Sequence, residues 1–241
     1  MNPVIGRVHS IQSLGALDGP GVRFTVFLQG CNLRCGCCHN PDTWNGRDGT
    51  EYTPSQIVEK AMRYREYFGK DGGITLSGGE PLLQADFARE IFALCHSQGI
   101  NTCLDTSGSI LNDNVKSLLD QTDRVLLDLK YTEDSLYREH VGCGMDKPLA
   151  FLSYLNEKHI PVTLRQVIIP TLNDNEENLR TLKSVADNHP CVDKIELLPF
   201  RKICQMKYDH LRIAFPFAHL PEPTGESMRQ LESFLENQNH K

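Results

Sequence analysis

Apolar residues recur in two rhythms along the 241-residue chain. Short blocks rich in Val, Ile, Leu and Thr, bounded by Gly, Pro, Asp or Asn, predict strands over 23–28, 73–76, 101–105, 124–129, 162–169 and 194–198. The longer stretches between and after them predict helices over 54–68, 83–97, 113–119, 148–158, 176–187 and 226–237. In the first of these, Ile57, Ala61, Tyr64 and Phe68 follow one another at spacings of four, three and four, which lines one helical face. Thr53 and Gln56 read as a capping box, Pro54 takes the first helical position, and Gly69 lies just past the end. Six β–α units in succession imply parallel strands joined by right-handed crossovers. The expected fold is α/β, a partial (β/α)6 TIM-like barrel with its site at the C-terminal face of the strands. No internal repeat, low-complexity tract or linker divides the chain, so a single domain over 1–241 is expected.

Charge narrows the function. Charged residues make up 23% and apolar residues 39%, with a net charge of −6. No run of Lys or Arg exceeds two, so the surface lacks the basic character that phosphate backbones require, and nucleic acid is excluded as an expected partner. Arg7, Asp18 and Arg23 interrupt any apolar leader, and no stretch reaches the ~18 apolar residues of a membrane span. Nine cysteines, four of them within eight residues, do not read as a secreted disulfide framework. A reducing cytoplasm is expected, without membrane association.

The crowded cysteines carry the chemistry. Cys31, Cys35 and Cys38 are spaced C-x3-C-x2-C, and thiolates in such a loop select zinc, copper(I) or an iron–sulfur cluster. A zinc ribbon would need a second C-x2-C pair, which the chain lacks. A cubane cluster takes four ligands, so three cysteines suggest one iron left open. A structural zinc completed by Cys37 or His39 is the competing reading. Cys95 and Cys103 read as core packing. Polar groups also recur where strands end: Ser77-Gly78-Gly79-Glu80, Asp105-Thr106, Asp128-Leu129-Lys130 and Pro199-Phe200-Arg201, with Arg165 inside the fifth strand. Read singly, Asp128 and Lys130 could be a surface ion pair, Gly78-Gly79 a plain turn, and Asp105 a cap.

Together with Asp18-Gly19-Pro20-Gly21-Val22-Arg23, Gln29-Gly30-Cys31, Cys38-His39-Asn40-Pro41-Asp42-Thr43-Trp44 and Glu196-Leu197-Leu198-Pro199-Phe200, these segments resemble the pyruvate formate-lyase activating enzymes of the radical S-adenosylmethionine superfamily. The resemblance runs from about Val4 to Phe200 and fades after Arg201. It implies a core over about 20–200, followed by a variable segment, 201–241, with a terminal helix. It further implies one 4Fe–4S cluster on Cys31, Cys35 and Cys38, with S-adenosylmethionine chelating the open iron. Cys37, Cys38, His39 and Asn40 would lie on the adenine side. Gly78, Gly79 and Glu80 would receive the amino group, and Asp128, Leu129, Lys130, Arg165 and Arg201 would face the ribose and carboxylate region. Asp105, Thr106, Asp128 and the carbonyl of Leu126 match positions that hold a monovalent cation. Asp18 and Arg23 fall where the family engages its target peptide.

The implied activity is reductive cleavage of S-adenosylmethionine, then abstraction of a hydrogen atom from a glycine of a glycyl radical enzyme resembling pyruvate formate-lyase. Reduced flavodoxin or ferredoxin would supply the electron, and the activating enzyme would be a monomer. No acid or base is needed. Two positions depart from the family pattern: Cys37 stands where an aromatic is usual, and Arg201 where a histidine is usual. The alternatives are a radical enzyme acting on a small molecule, and a non-catalytic zinc or iron–sulfur module.

Overall fold

A computed structural model describes residues 4–238, which divide into two compact units. The first joins the described part of Met1–Leu33 to Thr43–Leu127. The second joins Arg34–Asp42 to the described part of Asp128–Lys241.

The first unit opens on β1 (Gly6–Gly15), which pairs antiparallel with β2 (Arg23–Leu28) and with the short β3 (Thr50–Tyr52). Neither β1 nor β3 was expected. In β1, irregular register between Val8 and Ser10 and between Gln12 and Gly15 spoils the alternation that would announce a strand. There follow α1 (Pro54–Met62), α2 (Arg65–Phe68), β4 (Gly73–Gly78), α3 (Ala85–Ser97), β5 (Asn101–Thr106), α4 (Asp113–Leu119) and β6 (Arg124–Asp128). From β2 onward the strands run parallel, in the order β3-β1-β2-β4-β5-β6.

The capping box forms as expected: the Gln56 amide N–H donates to Thr53 Oγ1, and the Thr53 N–H donates to Gln56 Oε1. The expected helix over 54–68 is broken, however. Tyr64 leaves helical geometry at φ −112° and ψ 8°, and its ring lies 5.7 Å from Phe24 of β2. The break brings the aromatic onto the sheet. Ile57 and Ala61 of α1, Ile91, Phe92 and Cys95 of α3, and Val115 and Leu118 of α4 are fully buried, as are Val26, Ile74, Leu76 and Cys103 from the strands. Each large aliphatic or aromatic side chain removed from water there stabilises the fold by about 1.5–3 kcal/mol.

The second unit contains α5 (Asp134–His140), α6 (Asp146–Glu157), β7 (Val162–Ile168), α7 (Glu176–Asp187), β8 (Val192–Pro199), α8 (Gln205–Leu211) and α9 (Gly225–Gln238). β7 and β8 pair parallel, and β7 is buried almost throughout, as a parallel strand covered on both faces requires. α5 and α8 were not expected. Each buries a single residue, Tyr137 or Tyr208, so neither shows an apolar stripe.

Candidate active site

In the first unit, the ends of β2 and β4 interlock through backbone, and the Glu80 side chain reaches the end of β5. The amides of Gly79 and Glu80 donate to the carbonyls of Leu28 and Gly30, at 2.9 and 2.8 Å. Gly78 has φ +113°, and a Cβ on it would overlap the backbone of Leu28; one on Gly79 would overlap the Gly30 carbonyl. The glycine pair is therefore required by close approach of the loop that begins the cysteine run. Glu80 is 1% exposed. Its carboxylate accepts from the Thr106 hydroxyl (2.6 Å), the Ser107 amide (3.0 Å) and hydroxyl, and the Leu82 amide (3.1 Å). Burial raises its pKa against the pull of those four donors. Asp105 accepts from the Ser77 hydroxyl at 2.7 Å, and the β5–β6 register sets Asp105 opposite Leu126 and Thr106 opposite Leu127.

Arg23 corrects an expectation. The resemblance put it against a peptide, but its side chain is fully buried. The guanidinium donates to Thr75 Oγ1 (3.0 Å), Asn101 Oδ1 (2.8 Å) and the carbonyls of Ile74 (2.5 Å) and Asp71 (3.2 Å). Its donors are spent inside the fold, where burial lowers its pKa. Asp18 is half-buried; it accepts from the Thr25 hydroxyl through its carboxylate (3.0 Å) and from the Thr75 hydroxyl through its carbonyl (2.7 Å).

In the second unit, Asp128 sits between two cations. Its Oδ1 accepts from Arg165 Nε at 3.0 Å and its Oδ2 from Lys130 Nζ at 2.5 Å. Burial opposes the charge on Asp128, but Arg165 and Lys130 outweigh it and hold the carboxyl down to about 2. Lys130 is likewise held protonated, because Asp128 outweighs burial. The Leu129 amide donates to the Arg165 carbonyl (2.9 Å), so four of the expected residues form one connected group.

The cysteines differ in kind. Cys31 lies just past β2 in the first unit, half-buried, and the Leu33 amide donates to its Sγ at 3.4 Å. Cys35 and Cys38, also half-buried, close a turn in the second unit, with the Cys38 amide on the Cys35 carbonyl at 3.1 Å. Cys37 is only 8% exposed, and burial pushes its thiol up to about 11. It packs as a small hydrophobe. Three accessible thiols, one with a backbone donor on its sulfur, fit a cluster in which each thiolate takes a separate iron. Among the described residues no three His, Cys, Asp or Glu side chains, the loop cysteines included, converge on one metal-sized point. His39 Nε2 meets the Arg201 carbonyl at 2.9 Å; a carbonyl only accepts, so Nε2 carries the proton. Burial lowers the His39 pKa, which keeps the ring neutral and leaves Nδ1 an acceptor. The Arg201 side chain pairs with Glu222 at 3.1 Å, and Asn40 accepts from Lys207 at 2.8 Å. Lys207 and Tyr208 were missed at the sequence level, because nothing in α8 ties them to residues some 170 positions earlier.

A family model described as the Radical SAM superfamily matches residues 25–182. The pyruvate formate-lyase-activating enzyme of Clostridium pasteurianum is 42% identical over 233 residues, covering 96% of this chain and 98% of that protein. The pyruvate formate-lyase 1-activating enzyme of Escherichia coli (strain K12) is 38% identical over 241 residues, covering 99% and 98%. Among solved structures, Streptococcus suis SuiB bound to S-adenosylmethionine superposes with a TM-score of 0.66 at 16% identity, covering 86% of this chain and 45% of that one. That likeness bears on fold alone, and it agrees with the α/β partial barrel expected from the strand order.

Proposed function

Because the chain belongs to the radical SAM superfamily and, within it, to the pyruvate formate-lyase-activating enzymes, we propose that it activates a glycyl radical enzyme, most directly a pyruvate formate-lyase, by generating a radical on one glycine of that partner. The observation that carries this reading is likeness over nearly the full length of both chains, with the cysteine loop included. Cys31, Cys35 and Cys38 hold one 4Fe–4S cluster, and Cys37 stays outside its ligand set. Bound together, the cluster and S-adenosylmethionine supply one-electron cleavage of a sulfonium C–S bond and the hydrogen-atom abstraction that follows.

The chain's own residues position that chemistry. Lys130 and Arg165, each fixed by Asp128, present positive charge to the methionine carboxylate and ribose. Gly78 and Gly79 offer backbone to the amino group, with Glu80 rigidly placed behind them. His39, neutral and with Nδ1 free to accept, faces the adenine side with Asn40 and the backbone of Cys37 and Cys38. Arg201 contributes through its carbonyl, which orients His39. Asp105, Thr106, Asp128 and the Leu126 carbonyl supply hard oxygen donors for a monovalent cation. Asp18 meets the partner's peptide. The chain works as one domain and a monomer in the cytoplasm, where reduced flavodoxin or ferredoxin supplies the electron. Among the described residues no helix is long and apolar enough to cross a membrane.

The test is anaerobic reconstitution followed by incubation with reductant, S-adenosylmethionine and a pyruvate formate-lyase. The expected result is brown protein with about four irons per chain, release of methionine, and the paramagnetic signal of a glycyl radical on the partner. Colourless, zinc-loaded protein that leaves the cofactor intact overturns the reading.

A further inference from the structure

Residues 200–224 link β8 to α9, and beyond Arg201 the sequence assigns them no chemistry. In the second unit they fold back onto the cysteine arm at four points. The Tyr208 hydroxyl donates to the Cys38 carbonyl at 3.1 Å. Lys207 Nζ donates to Asn40 Oδ1 at 2.8 Å and to Asp42 Oδ1 at 3.1 Å. The Arg201 carbonyl accepts from His39. Phe217 lies so close to Gly36 that any Cβ there would overlap its ring.

The arm needs such support. Residues 34–40 contain no helix or strand. The amides of Arg34 and Gly36 donate to the Val141 and His140 carbonyls, at 3.1 and 2.8 Å. The linker adds to that support, and its own rigidity comes from an aromatic group. The Tyr208 ring packs 4.7 Å from Phe215, and Phe200 lies 6.1 and 6.2 Å from Phe215 and Phe217. Tyr208 and Phe200 are fully buried, so the hydroxyl that reaches Cys38 is carried on a fixed ring.

We infer that residues 200–222 are a clasp that holds the Cys38–Asp42 arm in its ligating shape, with Tyr208 and Lys207 as positioning residues. The inference rests on the proposed role of Cys38 as a cluster ligand. Opening the clasp removes no ligand; it frees the backbone that aims one, so a bound cluster is released more readily.

The experiment compares full-length wild type with Tyr208→Phe, Lys207→Met and Lys207→Arg after anaerobic reconstitution. It follows iron loss to a chelator and the change in the reduced cluster's paramagnetic spectrum on adding S-adenosylmethionine. Tyr208→Phe should release iron roughly fivefold faster, as expected for one net hydrogen bond, and Lys207→Met about tenfold faster, since its bonds carry a charge. Lys207→Arg should recover most of the wild-type rate, and the spectral change should shrink in the two faster variants. Equal release rates in all four proteins overturn the clasp. So does a shifted urea midpoint of the apoprotein with unchanged iron release, the mark of a merely structural role. If Tyr208→Phe fails to fold, the Lys207 pair decides. Wild type that assembles no cluster overturns the ligand assignment and the clasp with it, whereas normal assembly with variant-independent release overturns the clasp alone.

Discussion

Cys37 and Cys38 are neighbours that differ in burial. The Cys37 thiol is buried and kept protonated by the lack of solvation, with Lys130 too weak a counterweight; Cys38 is half-buried on a turn with Cys35. Cys31→Ala, Cys35→Ala and Cys38→Ala should each abolish cluster assembly, read as iron content and visible absorbance after reconstitution. Cys37→Ala should keep both. Cluster lost in Cys37→Ala and retained in Cys38→Ala would invert the ligand assignment. Asp128 poses a charge question at the same scale. Its carboxyl is held near 2, against an ordinary value of 3.8. A depressed carboxyl contributes stability that is complete above its unfolded value and lost as pH falls through the folded one. Asp128→Asn should therefore cost about 2 kcal/mol at pH 7. The deficit relative to wild type should narrow between about pH 4 and pH 2, as measured by urea unfolding across that range. A deficit independent of pH would mean that Asp128 acts by shape and not by charge.

The Gly78-Gly79-Glu80 turn shows how an element can be read correctly in place and incompletely in role. Its glycines meet the backbone of Leu28 and Gly30, and its glutamate bonds across to the end of β5. Glu80→Ala should strand the Thr106 hydroxyl and the Leu82 and Ser107 amides. The expected loss is on the order of 3 kcal/mol of stability, besides weaker cofactor binding. Calorimetric unfolding of the apoprotein separates the two effects; an unchanged midpoint would return Glu80 to a purely ligand-facing role. The six parallel strands and the start of α1 were legible because period and capping are local. β1 was not, since irregular register breaks its alternation, nor were α5 and α8, which bury one aromatic each. Arg23 was misread because its acceptors, Asp71, Ile74, Thr75 and Asn101, lie far along the chain. The cysteine loop stands out in the sequence because its four cysteines fall within eight residues. The linker that clasps it was silent, because its contacts return from more than 160 positions away.

For the molecule as a whole, the open question is what a second protein meets. With Arg23 buried, Asp18 is the one charged residue left from the pair proposed to hold a peptide. Its carboxylate accepts from the Thr25 hydroxyl, while its backbone is held separately by the Thr75 hydroxyl. Structure and recognition can therefore be pulled apart. Asp18→Asn still offers an oxygen to Thr25 and leaves the Thr75 bond untouched, so fold and cluster should persist, but the negative charge is gone. A carboxylate accepting from a peptide amide is stronger than a neutral acceptor by a charge-assisted bond, and losing that advantage costs roughly 1–2 kcal/mol. Glycyl radical formation on a pyruvate formate-lyase should then slow by about fivefold to thirtyfold, while methionine release in the absence of partner stays at the wild-type rate. Paramagnetic quantification of the partner's radical over time, run beside methionine release, reads both quantities in one anaerobic sample. Wild-type radical kinetics in Asp18→Asn would confine Asp18 to bracing the turn ahead of β2, and the peptide's contacts would have to be sought elsewhere on the chain.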